Sequence, residues 1–465
     1  MMLLAVLLIV LSGFAVVLWL GNDFNLFEWA GASLLLGMAT QSFWLFFADV
    51  LHISLSKEFF IGINLLLLSL TLWSKKKILA ELLCSIPHHK PKVNLVVPAV
   101  MLLIGWLFYL MMVKNLFWPP TEHDTISSFD KMGRIMAIEG KLHISLYGNG
   151  LMGAGGFYPP LWHGLFAYGY VFGAEDPKIF TTLMFAGLLF AFFGLLRRRT
   201  GDLVAILATL VLEMVPDLYA HGSLSLGNLP TTAYVTIAAL PLFLWLESRD
   251  QKMFRLSIAG LVCLLWIRSD TIVFALASGF ILLIDSIRSK NFSRLFLYTL
   301  IASLPFILWN AYLTFELHLN QSDRFLAWAD VPSERLPFML SYLSAFFIGG
   351  GESMLDGQSV YGLTFSIGYV LFVVHLIFTA GKWKTFYFSD TAAVLYLATS
   401  FFAYFILYYL IDEAVQRTAM VDMMESSFKR AVFFFIPVFL FCTMGSKTMQ
   451  YIGLKLSQLI DNQRK

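Results

Sequence analysis

The run Trp118-Pro119-Pro120-Thr121-Glu122-His123-Asp124 sets two carboxylates and an imidazole side by side. It directly follows an apolar stretch over residues 93–113. A carboxylate in such a place can act as a general base, taking a proton from an attacking hydroxyl while its neighbours set its pKa. Asp124 also precedes a helical pattern beginning at Thr125, where Asp is a favoured N-cap. One residue can serve in both ways. Glu122 and His123 flank it as candidate substrate contacts. Other groups with chemical potential are Tyr158 and His163 around a Tyr-Pro-Pro-Leu run, His221 and Asn228 in the segment 217–228, and Arg268-Ser269-Asp270. Arg417 and the run Ser427-Phe428-Lys429-Arg430 follow near the end of the chain. Lys131 and Arg134 lie between the two clusters of Pro and Gly. Arg and Lys suit phosphate oxygens, Arg through a planar fork. A ligand with a phosphate head and an apolar tail fits this set.

The elements that must position these residues are membrane helices. Of 465 residues, 58% are hydrophobic and only 13% charged, and mean hydropathy is +0.75. Soluble domains carry about 25% charged residues. The apolar runs are continuous rather than alternating, which excludes a β-barrel. The fold class expected is all-α: a polytopic transmembrane helical protein with about thirteen spans. They fall near 2–20, 29–50, 59–74, 93–113, 178–196, 202–216, 229–246, 256–267, 271–287, 295–313, 361–380, 389–410 and 429–446. The first lacks a basic leading region and a clear cleavage site, so it is read as a span. Pieces 161–174 and 337–349 are too short to cross and are read as re-entrant or interfacial.

Basic residues orient the set. With Lys75-Lys76-Lys77 in the cytoplasm, strict alternation puts Arg197-Arg198-Arg199, the segments 249–255 and 288–294, Lys382 with Lys384, and the C-terminal tail on the same side. Inside loops then hold 20 of the 32 basic residues and 9 of the 30 acidic ones. The N-terminus is expected outside and the C-terminus inside, in a cell (inner or plasma) membrane. Net charge is +2, which gives no reason to expect nucleic acid. Cys84, Cys263 and Cys442 are scattered, suggesting no disulfide framework or metal cluster. The chain has no Walker loop, HExxH, CxxC or GxSxG before a helix. His88-His89 beside Lys90 reads as a solvated cytoplasmic loop.

All the nominated groups fall on the outer side of this topology. Residues 125–142 read as an amphipathic helix along the membrane surface. Ile126, Phe129, Met132, Met136 and Leu142 form one face, and Ser127, Asp130, Lys131 and Arg134 the other. A Gly-rich loop, Gly148 to Gly156, leads to Tyr158. Arg268 and Asp270 interrupt an apolar stretch after a helix of only about twelve residues, so they are expected to be recessed below the outer surface. Ionisable groups at that depth are costly and usually functional or paired; a plain Arg268–Asp270 pair ending two helices is the simpler reading. For Lys429 and Arg430 the simpler reading is snorkelling to headgroups, and for His163 a satisfied packing role.

The pattern resembles the GT-C superfamily, integral-membrane glycosyltransferases that use lipid-phosphate-linked sugars. The likeness lies in Glu122-His123-Asp124 before a surface helix, Tyr158-Pro159-Pro160-Leu161, Gly227-Asn228-Leu229-Pro230, Arg268-Ser269-Asp270 and Ser427-Phe428-Lys429-Arg430. It covers residues 93–446, with a three-helix module at 1–92 and a cytoplasmic tail at 447–465. It implies a polyprenyl-phosphate sugar donor, a glycan, lipid or protein acceptor, transfer on the extracytoplasmic face with inversion, and Asp124 as base. Lys131, Arg134, Arg268, Arg417 and Arg430 are then candidates for the leaving phosphate. Asn228 stands where some relatives carry an acidic residue that helps bind a metal, which argues against a metal-dependent mechanism; no cofactor is expected. Specificity would reside in loops 143–157 and 314–360. A transporter or flippase of lipid-linked glycans, a polymerase of such units, or a non-catalytic member of the fold are the competing readings. The absence of a visible internal repeat weighs against a transporter.

Overall fold

The structure is a computed structural model. It describes all residues except 85–95, 121–124, 143–157, 319–330, 349–366, 369, 372, 375–376, 378–387, 411–418 and 463–465. The described residues form helices and no strands. The chain is a multi-pass membrane protein.

In chain order the helices are α1 (Met2–Leu20), α2 (Leu26–Val50), α3 (Lys57–Cys84), α4 (Val96–Phe117), α5 (Asp130–Glu139), α6 (Leu161–Val171) and α7 (Ile179–Thr200). Then follow α8 (Asp202–Glu213), α9 (Pro216–Leu224), α10 (Asn228–Ser248), α11 (Gln251–Leu265), α12 (Ile272–Ser289) and α13 (Ser293–Phe315). The last are α14 (Arg335–Ile348), α15 (Phe388–Tyr409), α16 (Ile436–Met444) and α17 (Lys447–Asn462).

Among the described residues, 9 helices are long and apolar enough to cross a membrane. Two bent pairs raise this to 11. One is α8 with α9, bent by 69° at Pro216. Proline holds the residue before it out of the helical region, and Val215 is extended at φ −64°, ψ 111°. The other runs Val432–Met444 and Lys447–Leu456, bent by 65°, so that residues expected as a plain tail are helical. The expected span 361–380 lies largely outside the described residues. The expected span 256–267 is α11, whose 15 residues rise only about 22 Å. That is short of a hydrocarbon core of about 30 Å.

The core sits on α10, where every residue from Asn228 to Leu246 is buried. Helix α2 packs on α1, α6 and α7. Gly13 lies against Ser33 and Gly37 against Ile9 so closely that a Cβ at either would overlap backbone. Small residues of this kind let membrane helices approach. Helix α2 also bonds beyond the N-terminal segment. Tyr234 Oη donates to Leu35 O at 2.7 Å, and Trp266 Nε1 to Ser42 Oγ at 3.1 Å. In contrast α4 buries only Val97, Met111 and Asn115 and turns Trp106, Tyr109 and Phe117 outward.

Polar contacts gather the helix ends into two layers. In one, Arg198 pairs with Glu28, Arg199 with Asp390 and Glu247, Arg249 with Asp285, and Lys252 with Asp23. In the other, Thr125 Oγ1 donates to Leu224 O at 2.9 Å, Leu161 N to Trp266 O at 3.2 Å, and Asp49 accepts from Leu142 N and Tyr312 Oη. The first layer collects the ends that alternation assigns to the inside, and the second those it assigns to the outside.

The amphipathic segment begins as a π-helical turn, Thr125–Phe129, and continues as α5. Phe129, Met132, Met136 and Leu142 are buried as the pattern requires; Ile126 is half exposed. The buried face meets protein: a Cβ on Gly133 would lie 2.5 Å from Phe166 Cβ. The short piece expected at 161–174 is α6, with Leu161 to Gly169 all buried. Eleven residues rise about 16 Å.

Candidate functional site

The bond partners of Arg268 define the site. Its Nε and Nη2 donate to Asp270 at 3.0 and 2.7 Å, and Nη1 donates to Asn228 Oδ1 at 3.0 Å. Its guanidinium lies 5.1 Å from the centre of the Tyr158 ring. Tyr404 Oη donates to Asp270 Oδ2 at 2.9 Å. The side chains of Arg268 and Asp270 are only 16% and 18% exposed.

Local structure explains how this forms. The short α11 ends at Leu265, and Arg268 takes an extended conformation before a 3₁₀ turn over Ser269–Thr271. Thr271 Oγ1 donates to Leu264 O and Arg268 O, which fixes the turn. Asn228 opens α10 directly after Gly227. Tyr158 precedes Pro159-Pro160, which start α6, and Ser42 Oγ holds Pro160 O at 2.9 Å.

Burial works against the Arg268 charge, while the Asp270 carboxylate, before Tyr158 and Tyr404, supports it; the guanidinium is held well above its ordinary value. Three of the five guanidinium N–H groups are engaged. The other two have no hydrogen-bond partner among the described residues. Asp270 balances the charge of Arg268, and Asn228 adds none, so this trio is neutral overall.

Of the residues expected at the site, the structure thus brings together Arg268, Asp270, Asn228 and Tyr158. The simple Arg268–Asp270 pair is present, within a larger set. Phe428 reaches the same place: its ring centre is 6.3 Å from Tyr404 and 5.1 Å from Tyr408. Arg430, two residues on, is half-buried. Asp124, Glu122, His123 and Arg417 lie outside the described residues, as does the Gly-rich loop.

The others are placed elsewhere. Arg134 donates to Tyr170 Oη at 3.1 Å and lies 3.7 Å from Asp130. The hydrogen bond with Tyr170 raises its pKa further. Tyr170 is nine residues, about 14 Å, along α6 from Leu161, the residue bonded to Trp266. Arg134 is therefore not part of the Arg268 cluster. Lys131 is half-buried on α5. His163 is fully buried, and neither ring nitrogen has a hydrogen-bond partner among the described residues. This departs from a satisfied packing histidine. His221 is buried too, its Nδ1 2.7 Å from Asp217 O and its ring 4.7 Å from Phe433.

Sequence reasoning passed over two contributors. Tyr404 sits inside an apolar run, where its only signal is that a buried hydroxyl needs a partner. Lys178 is buried and donates to Asn115 O at 3.0 Å and to Trp118 O. A cation on the last carbonyls caps the C-terminus of α4. Lys178 thereby fixes Trp118, six residues before Asp124, while the Thr125–Leu224 bond fixes the residue after it.

No protein-family model, no curated protein and no solved structure matches this chain.

Proposed function

We propose that the chain is a GT-C-like membrane glycosyltransferase, moving a sugar from a polyprenyl-phosphate donor to an acceptor hydroxyl on the extracytoplasmic face. The observation that carries this reading is the tether of Thr125 to Leu224 O, because it ties the chain neighbour of Asp124 to the strand of residues leading to Asn228 and Arg268. Thr125 and the Arg268 guanidinium thus belong to one end of one bundle, which supports a site there. The basic clusters at the opposite end support reading this one as the outside.

In this reaction Asp124 takes the proton of the acceptor hydroxyl. The oxygen attacks the anomeric carbon from the face opposite the phosphate, the bond from carbon to phosphate oxygen breaks, and configuration inverts. The departing phosphate carries the developing charge. Arg268, with two N–H groups to give and Asp270, Asn228 and Tyr158 to hold it still, stabilises that charge. Arg417 and Arg430 supply further positive charge from the segment around Phe428. Asn228, being neutral, leaves the cluster receptive to an anion.

The test is to incubate the purified protein in nanodiscs with a panel of radiolabelled polyprenyl-phosphate monosaccharides and to follow donor consumption. Wild type is expected to consume one donor, and Asp124→Asn to abolish this while keeping donor binding. Undiminished turnover in the variant moves the base to Glu122 or Asp130. Absence of both turnover and binding with every donor rejects the reading.

A further inference from the structure

A groove of about 620 Å³ opens between α1, α2, α11 and α13, with its charged mouth in the ion-paired layer. Its size falls within the range of about 300–1,000 Å³ typical of small-molecule sites. The walls are stripes at helical spacing: Arg255, Ala259 and Val262 along α11, and Arg294, Leu297 and Ile301 along α13. Each stripe runs seven residues, about 10 Å. One end of each stripe is an arginine and the rest is apolar. The lining as a whole is overwhelmingly apolar apart from this mouth.

The two arginines differ from their neighbours. Arg197, Arg198, Arg199, Arg249 and Lys252 each pair with a carboxylate. Arg255 and Arg294 have no carboxylate partner among the described residues. Arg255 reaches only the carbonyl of Leu20, at 3.4 Å, and Arg294 lies over the Trp245 ring at 5.2 Å. Arg294 sits in the first turn of α13, where the helix dipole also favours an anion. Two uncompensated guanidinium groups above an apolar trough match a phosphate above an acyl chain.

We propose that this groove is a binding site for one anionic glycerophospholipid, its phosphate on Arg255 and Arg294 and one acyl chain between α11 and α13. The site is independent of the glycosyltransferase reading. Its charged mouth lies in the opposite layer from Arg268, so the phosphate it holds is not the one proposed to meet Arg268.

The experiment is native mass spectrometry of the full chain in detergent, titrated separately with phosphatidylglycerol and with phosphatidylcholine of the same chains. One phosphatidylglycerol is expected to stay bound where phosphatidylcholine is lost. Arg255→Gln with Arg294→Gln should weaken phosphatidylglycerol about 30-fold, taking about 1 kcal/mol for each cation near an anionic headgroup. The double lysine variant should keep the preference. Ala259→Trp, which fills the trough and leaves both charges, should displace the lipid. Equal retention of the two lipids, or unchanged phosphatidylglycerol affinity in the double glutamine variant, overturns the proposal. Circular dichroism on each variant separates a lost site from a lost fold.

Discussion

The two polar layers of this bundle solve the same physical problem differently. In the layer of Glu28, Arg198, Arg199 and Asp285, cations and carboxylates from distant helices close on one another. Glu28 is wholly buried, takes both arms of Arg198 and also accepts from Asn25 N in a capping box. Every atom of that carboxylate is used in joining α2 to α7. In the layer of Arg268 the pairing is local, two residues apart, and incomplete. The guanidinium is held by Asp270, Asn228 and Tyr158 yet keeps donors in reserve. A carboxylate gripped by a cation from a distant helix is a staple; a local pair that also gathers a neutral amide and aromatic rings resembles a binding group. Neither charge nor spare N–H groups alone mark a site in a membrane protein: Arg199, in the first layer, is buried with Nε and Nη1 lacking hydrogen-bond partners among the described residues. The groups gathered around a charge are the better guide.

The largest effect that would sharpen this contrast is expected from Arg268→Gln. Loss of a preorganised donor of this kind costs about 10²–10³ in turnover, which donor-consumption kinetics would read. Near-normal turnover would reduce Arg268 to a structural pair. Arg198→Ala should do the converse. It leaves Glu28 buried without its partner, costs about 3 kcal/mol of stability, and lowers the melting temperature without changing turnover in the protein that stays folded. Asn228→Asp comes next. A second carboxylate on Arg268 turns the neutral trio negative, and donor affinity should fall roughly tenfold, about 1.4 kcal/mol, with kcat less affected. Tyr404→Phe removes one hydrogen bond from Asp270, worth about 1 kcal/mol, and should raise KM a few-fold. The smallest effect belongs to Asp23→Asn. The hydrogen bond from Lys252, and then its charge, hold the Asp23 pKa below its ordinary 3.8. A depressed carboxylate stabilises the fold above its unfolded pKa. The slight melting-temperature gap between wild type and Asp23→Asn should therefore persist near neutrality and close as pH falls below 3.8.

What the sequence made legible was local. The face of α5 followed from spacing, because a helix's burial pattern is periodic. The shortness of α11 and the proximity of Arg268 to Asp270 followed from a count of residues. The gathering of helix ends into two layers followed from charge. Unreadable were the partners that arrive from far along the chain. Tyr404 stands 134 residues from Asp270, and Lys178 60 residues from Trp118, with no local pattern to announce either. The burial of α6 was hidden for another reason. An apolar run of eleven residues looks the same whether lipid or protein surrounds it. The bend at Pro216 was signalled by the proline, but the polar residues Asp217, His221 and Ser223 beyond it concealed that the chain continues as a helix.

The brevity of α11 has one more consequence. Its 15 residues cover about 22 Å, leaving about 8 Å of a typical hydrocarbon core unspanned. Hydrophobic mismatch of this kind is relieved by local thinning of the bilayer. The depth of Arg268 is then set jointly by the protein and its host. Thick, long-chain bilayers would sink it, thin ones would lift it toward the headgroups, and the acyl length of the surrounding lipids becomes a tuning parameter for whatever anion it receives.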